Sequence, residues 1–269
     1  MSSARWNLKA RYGDWALVTG ASAGIGVEFA RAIAREGVSL VLTARRVERL
    51  NSLAAELGEK HKIATRVVAA DLAAADGADR LADAVADLPI AILVNNAGFG
   101  YAGRFDKLET ERLRAMVRVN CEAPVVLTSR ILPGMVQRGR GAVIIVGSVA
   151  GRQPLPLHAL YSATKAFDQI LGEALWGEFR GTGIDAIVLE PGPVRTEFQQ
   201  VAGEQVEANH GEPAENVVRV TFDALGRKPS VISGWFNWAR ANAVRLVPRS
   251  TATIIAKKVT EAQTPKEMR

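Results

Sequence analysis

The sequence is poor in cysteine, histidine and tyrosine, and it has no long apolar run. One cysteine in 269 residues, Cys121, excludes an internal disulfide, so the fold is not a cross-linked scaffold. Cys121 falls in an expected helix, where a small buried thiol is anticipated, and a reducing cytoplasm is compatible with it. The three histidines, His61, His158 and His210, have no ligand spacing to one another or to Cys121, so no metal site is expected. No stretch reaches the roughly 18–20 consecutive apolar residues of a membrane-spanning helix. The N-terminus carries Arg5, Lys9 and Arg11 with no apolar run behind a small-residue cleavage site, so no signal peptide is expected. Low-complexity blocks and short-period repeats are also missing.

What is present is ordinary globular composition, 48% hydrophobic and 23% charged. The length suits one α/β domain. The net charge of +6 is unevenly placed. From Arg227 onward there are nine Lys/Arg and two acids, Glu261 and Glu267, so this end carries +7 and the preceding 226 residues −1. A near-neutral body with a basic end does not resemble a nucleic-acid recognition face, and no such motif occurs; no nucleic-acid partner is expected.

Short Val/Ile/Leu-rich strands alternate with helical segments. Strands are expected at Trp15–Thr19, Ser39–Thr43, Arg66–Ala70, Ala91–Val94, Ala142–Val146, Ile184–Leu189 and Pro229–Ser233. Helices are expected at Gly24–Glu36, Val47–Leu57 and Gly77–Asp87. Strands apolar on both faces belong to a parallel sheet covered by helices. The alternation predicts an α/β fold, a single-domain doubly wound parallel sheet. The expected organisation is an N-terminal extension (1–12), a Rossmann-like domain (13–233) and a basic helical tail (234–269). In such sheets ligands sit beyond the carboxyl ends of the strands.

The first strand runs into Thr19-Gly20-Ala21-Ser22-Ala23-Gly24-Ile25-Gly26, where a helix opens. Glycines at a helix start let backbone N–H groups approach a phosphate. The spacing is G-x-x-x-G-x-G, which departs from the common dinucleotide fingerprint, and a purely structural turn stays open. Arg45, 19 residues after Gly26, and Arg46 end the second strand where NAD-binding chains carry an acid. An arginine there suits the 2′-phosphate of NADP, with Arg45 ranked ahead of Arg46; two solvated arginines remain the alternative.

Ser148 follows a strand, and Tyr161 comes 13 residues later with Lys165 at i+4. On a helix Tyr161 and Lys165 share a face. An ammonium beside a phenol favours its ionisation and suits it to proton transfer. Alone, Tyr-x-x-x-Lys occurs in many helices by chance; behind Ser148 and the glycine turn it gains meaning.

With these motifs in this order, the chain resembles the short-chain dehydrogenase/reductase family from about Asp14 to Thr196. Thr19 to Gly26 matches its T-G-x-x-x-G-x-G loop. Asp71-Leu72 matches its adenine-contacting acidic position, and Asn95-Asn96-Ala97-Gly98 its N-N-A-G motif. Asn120, Ser148, Tyr161 and Lys165 match its catalytic set, and Pro191 to Thr196 its P-G loop. The resemblance implies that Tyr161 is the general acid or base and that Ser148 holds the substrate oxygen. It implies that Lys165 lowers the Tyr161 pKa and binds the nicotinamide ribose, while Asn120 positions a relay water. The implied NADP(H) site comprises Gly20, Ser22, Ala23, Gly24, Ile25, Gly26, Arg45, Arg46, Asp71, Leu72, Asn96, Ala97, Gly98, Tyr161, Lys165, Pro191, Gly192, Val194 and Thr196. A homodimer or homotetramer is implied too.

Candidate pocket residues are Phe99, Tyr101, Arg152, Pro154, Leu155 and Phe198, with His158 either lining the pocket or on the surface. Their apolar character points to a hydrophobic carbonyl or alcohol substrate. An alternative is a 3-oxoacyl thioester (CoA or carrier protein) reductase, since the tail resembles that of long-chain 3-oxoacyl-CoA reductases. A non-catalytic NADP(H) sensor is the rival of another class. In the tail, Ile232, Trp235, Phe236, Ala239, Ala243, Leu246 and Val247 fall near helical spacing. A second segment, Ala252 to Val259, sets Ile254 and Ile255 beside Lys257 and Lys258. A cleft cover or core-packing helix, a peripheral membrane helix and a subunit contact are the open readings. A cytoplasmic protein, with possible association at the membrane surface, is the expected localisation.

Overall fold

The computed structural model describes residues 5–204 and 211–269, so His210 lies outside the described residues. Seven parallel strands form one sheet in the order β3-β2-β1-β4-β5-β6-β7. They are β1 (Trp15–Thr19), β2 (Ser39–Ala44), β3 (Thr65–Ala69), β4 (Ile90–Asn95), β5 (Gly141–Val146), β6 (Ile184–Glu190) and β7 (Ser230–Ile232). The helices are α1 (Leu8–Tyr12), α2 (Gly24–Arg35), α3 (Val47–His61), α4 (Gly77–Ala84), α5 (Thr110–Val117) and α6 (Ala123–Arg138). They continue as α7 (Ala159–Glu178), α8 (Phe198–Ala202), α9 (Ala214–Ala224), α10 (Trp235–Ala243) and α11 (Arg249–Gln263).

The strands read as continuous apolar runs because both faces are covered. Along β1, Ala16 and Val18 join Phe29, Ile33 and Phe222 on one side, while Leu17 joins Leu81, Leu127 and Met135 on the other. Phe29 and Phe222 lock α2 to α9 edge-to-face at 5.6 Å. Registers run without slippage from Thr19↔Thr43 across to Glu190↔Ile232, except for one irregularity between Trp15 and Ala16. The chain order reverses between β1 and β4, which opens a crevice at their carboxyl ends.

Two sequence expectations change, and one open reading narrows. The extension 1–12 is no appendage where it is described: Leu8 and Tyr12 are each 1% exposed and belong to the core. The Glu36 carboxylate accepts the backbone N–H groups of Arg5, Trp6 and Leu8, tying this segment to the end of α2. Cys121 lies half-buried in a π-helical turn, Arg118–Glu122, between α5 and α6. The apolar stripe of α10 does not turn inward. Trp235 is 81% exposed and Leu246 86%, with Phe236 also exposed, while Asn237 and Ala241 face the protein. The reason is local: Gly192 has no side chain, and a Cβ there would lie 2.4 Å from Asn237. Asn237 docks on that gap and donates to the Ser233 carbonyl, which fixes the helix's rotation.

Candidate active site

A cleft of about 790 Å³ opens beyond the carboxyl ends of the strands. This is toward the upper end of ligand-pocket sizes. Of the cofactor and catalytic residues expected from sequence, all but Gly26 and Asn120 line it. Those two lie just behind its wall. Phe99, Arg152, Leu155, His158 and Phe198 also line it. Tyr101 and Pro154 do not: the Tyr101 ring is covered by the Arg112 guanidinium at 4.2 Å.

The glycine turn is held from below. Thr19 Oγ1 accepts the N–H groups of Asn96 and Ala97, each at 2.9 Å, and donates to the Val94 carbonyl. Asn96 Nδ2 donates to the Thr19 carbonyl at 2.7 Å. Gly20 and Gly24 have φ of 67° and 56°, which a side chain would strain. Gly26 serves packing, because a Cβ there would sit 2.4 Å from the Gly20 carbonyl oxygen. No side chain caps α2; Ala23 stands at its start, and Ala23, Gly24 and Ile25 line the cleft. An uncapped helix start behind a glycine turn fits an anionic phosphate.

Beside it, Arg46 donates to Ser22 Oγ from two nitrogens and pairs with Glu197 at 2.7 Å. Arg49 holds the other oxygen of Glu197 at 2.8 Å. Asp71 accepts the Ala73 N–H, which shapes the turn after β3.

Ser148, Asn120, Tyr161 and Lys165 come from the segment after β5, the π turn and α7. Ser148 lies two residues past β5, and its Oγ accepts the Ala150 N–H at 3.1 Å. Tyr161 and Lys165 stand one turn apart on α7. Burial pushes the Tyr161 phenol above its ordinary value, while Lys165 and Ser148 pull it back. Lys165 Nζ donates to the Val146 carbonyl at 2.7 Å and to Asp168 Oδ2 at 2.9 Å. Burial works against its ammonium form, but Asp168 and Tyr161 outweigh it and hold the pKa up. Asn120 is fully buried in the π turn. Its Oδ1 accepts the Phe99 N–H, and its Nδ2 donates to the Phe99 carbonyl and Thr164 Oγ1. Phe198, from α8, lies over Tyr161 with ring centroids 5.5 Å apart.

Sequence reasoning missed four groups. Asp168 follows Lys165 by three residues, a spacing that was readable but unremarkable. Glu197 reaches Arg46 from 151 positions away, which no local pattern signals. Glu204 lines the cleft 3.8 Å from His158 Nδ1, and burial raises its carboxyl to about 7. On α10 and α11, Asn237, Ala241, Ala256, Val259 and Thr260 close one side of the cleft. The sequence-level stripe drew attention to the opposite face. Arg152 was a candidate substrate contact, but its guanidinium is engaged by Glu190 at 2.5 Å through both carboxylate oxygens.

Residues 14–207 match the short chain dehydrogenase family. The chain belongs to that family. Among its relatives, the human very-long-chain 3-oxoacyl-CoA reductase is 35% identical over 193 residues, covering 70% of this chain and 62% of the relative. The enzyme of the same name from Scheffersomyces stipitis is 34% identical over 237 residues, covering 82% and 67%. The chain thus spans 62% of the length of several of these relatives. Among solved structures, a 7β-hydroxysteroid dehydrogenase superposes with a TM-score of 0.87 at 28% identity, covering 93% of this chain and 99% of that one. A short-chain dehydrogenase from Sphingobium yanoikuyae in complex with NADPH gives a TM-score of 0.76 at 30% identity, covering 87% and 93%. The family and fold expected from the motifs are borne out.

Proposed function

We propose that this short-chain dehydrogenase is an NADP(H)-dependent reductase of an apolar carbonyl, and that long-chain 3-oxoacyl thioesters are its foremost substrate class. The observation that carries the reading is the convergence of Ser148, Tyr161 and Lys165 on one wall of the cleft that holds the glycine turn. The cofactor supplies the hydride when bound. The protein's residues handle the oxygen and its proton. The Ser148 hydroxyl donates a hydrogen bond to the carbonyl oxygen, and the Tyr161 phenol gives that oxygen a proton as negative charge develops on it. Lys165 keeps positive charge beside the phenol as its proton leaves. Asn120 pins the π turn behind Lys165 and the Phe99 segment in front of it, keeping the site's walls in register. Ser22, Arg45 and Arg46 supply the polar and cationic groups for a 2′-phosphate.

Relatives named for 3-oxoacyl-CoA reduction support the thioester class over small ketones. So does the apolar rim of Phe99, Leu155, Phe198, Val244 and Val259. Among the described residues no helix is long and apolar enough to cross a membrane. The outer faces of α10 and α11 expose Trp235, Phe236, Trp238, Ile254 and Ile255 on the basic end of the chain, with Leu246 exposed between them, while their inner faces close the cleft. That combination supports a peripheral contact with an anionic bilayer, from which a long-chain substrate would be drawn. The exposed apolar side chains Val125, Val136 and Ile170 on α6 and α7 support a homo-oligomeric contact.

The test is NADPH consumption by the purified protein across 3-oxohexadecanoyl-CoA, steroid ketones, cyclic ketones and small sugars. Preferential turnover of the thioester is the expected outcome. Turnover of sugars alone would overturn the substrate class, and no turnover with NADPH tightly bound would favour a sensor.

A further inference from the structure

Asp168 is 1% exposed and lies one turn past Lys165 on the inner face of α7. Its Oδ2 accepts a hydrogen bond from Lys165 Nζ at 2.9 Å. Its Oδ1 is buried and has no hydrogen-bond partner among the described residues. A buried carboxylate with one bare oxygen is costly, and an apolar side chain would pack α7 onto the sheet without that cost. The charge therefore needs a reason at the site it faces.

The charged and titratable groups around it are few. On α7 itself stand Tyr161 and Lys165. The π turn contributes Cys121, whose thiol feels both Asp168 and Lys165. The segment after α8 contributes Glu204, which acts on Tyr161. Arg152 and Glu190, from the segment after β5 and from β6, satisfy each other. Asp168 alone among these carboxylates is bonded to Lys165.

We propose that Asp168 is a positioning residue that sets the proton affinity of the Tyr161–Lys165 pair, holding Lys165 as an ammonium ion drawn back toward β5. The inference rests on the reading of Tyr161 as the acid in reduction. Its sign does not depend on which member of the pair gives up the proton. Burial raises the Asp168 carboxyl's own pKa while Lys165 works to lower it; as a carboxylate beside two coupled groups it makes loss of a proton from either harder, so removing it makes that loss easier.

The experiment compares the parent with Asp168→Asn, Asp168→Ser and Asp168→Glu. The first readout is the pH dependence of NADPH-linked reduction of 3-oxohexadecanoyl-CoA. The second needs no substrate: the tyrosinate absorbance of each variant, minus that of the same variant carrying Tyr161→Phe. In both neutral variants the alkaline limb and the tyrosinate titration move to lower pH by about one unit or more. Asp168→Glu keeps both near the parent's position. Either neutral variant suffices if the other does not fold. Limbs and titrations that superimpose on the parent's, with only a uniform loss of rate or stability, would overturn the proposal. If Tyr161→Phe instead reduces substrate at the parental rate, the reading of Tyr161 fails, whereas the absorbance titration still reports on Asp168.

Discussion

At the scale of single residues, the site is governed by which charges face which. Arg46 is committed to Ser22 and Glu197 in this structure, so a 2′-phosphate must compete with a carboxylate for it. Replacing Arg46 or Arg45 with alanine should weaken NADPH binding roughly 10- to 100-fold, the range for a charge-assisted hydrogen bond, and leave NADH nearly unchanged. Glu197→Gln should strengthen NADPH. Calorimetric titration with both cofactors checks this, and equal losses for both would remove the 2′-phosphate from the account. That Ser148, Tyr161, Lys165, Arg45 and Arg46 share one cleft was legible because their types and spacing carry chemistry of their own. Glu197 and Glu204 were not, because their partners lie far along the chain and only the fold brings them together.

At the scale of elements, the β1–α2 turn decides whether a phosphate can approach. Its glycines are not interchangeable. Gly20 and Gly24 supply positive φ, whereas Gly26 supplies close contact. A Cβ at Gly26 would meet the Gly20 carbonyl oxygen at 2.4 Å and Asn96 Nδ2 at 2.6 Å. Gly26→Ala should therefore push α2 from the turn, cost about 1–3 kcal/mol of stability and impair cofactor binding. Thermal melting with and without NADPH measures both effects; a variant as stable and as well stabilised by NADPH as the parent would contradict the packing argument. Strand identity was readable from apolar runs, and boundaries moved by a residue or two. The orientation of α10 was left open by its spacing, and a long-range contact decides it. Hydrophobic spacing normally marks the buried face, but here docking of Asn237 on Gly192 sets the rotation and leaves the aromatics outside.

At the scale of the whole molecule, a near-neutral sheet domain carries a basic helical end whose α10 and α11 line one side of the cleft. The exposed aromatics of that end predict flotation with vesicles of phosphatidylglycerol and phosphatidylcholine, weakened by salt and by Trp235→Ala with Trp238→Ala. Equal recovery with neutral vesicles, or no flotation, would count against an anionic surface. Proton transfer from Tyr161 is tested by comparing the parent with Tyr161→Phe for both NADPH binding and reduction of 3-oxohexadecanoyl-CoA. NADPH affinity should stay near the parent's while turnover falls by about 10²- to 10⁴-fold, the span for loss of a general acid. Turnover at the parental rate in Tyr161→Phe would contradict it.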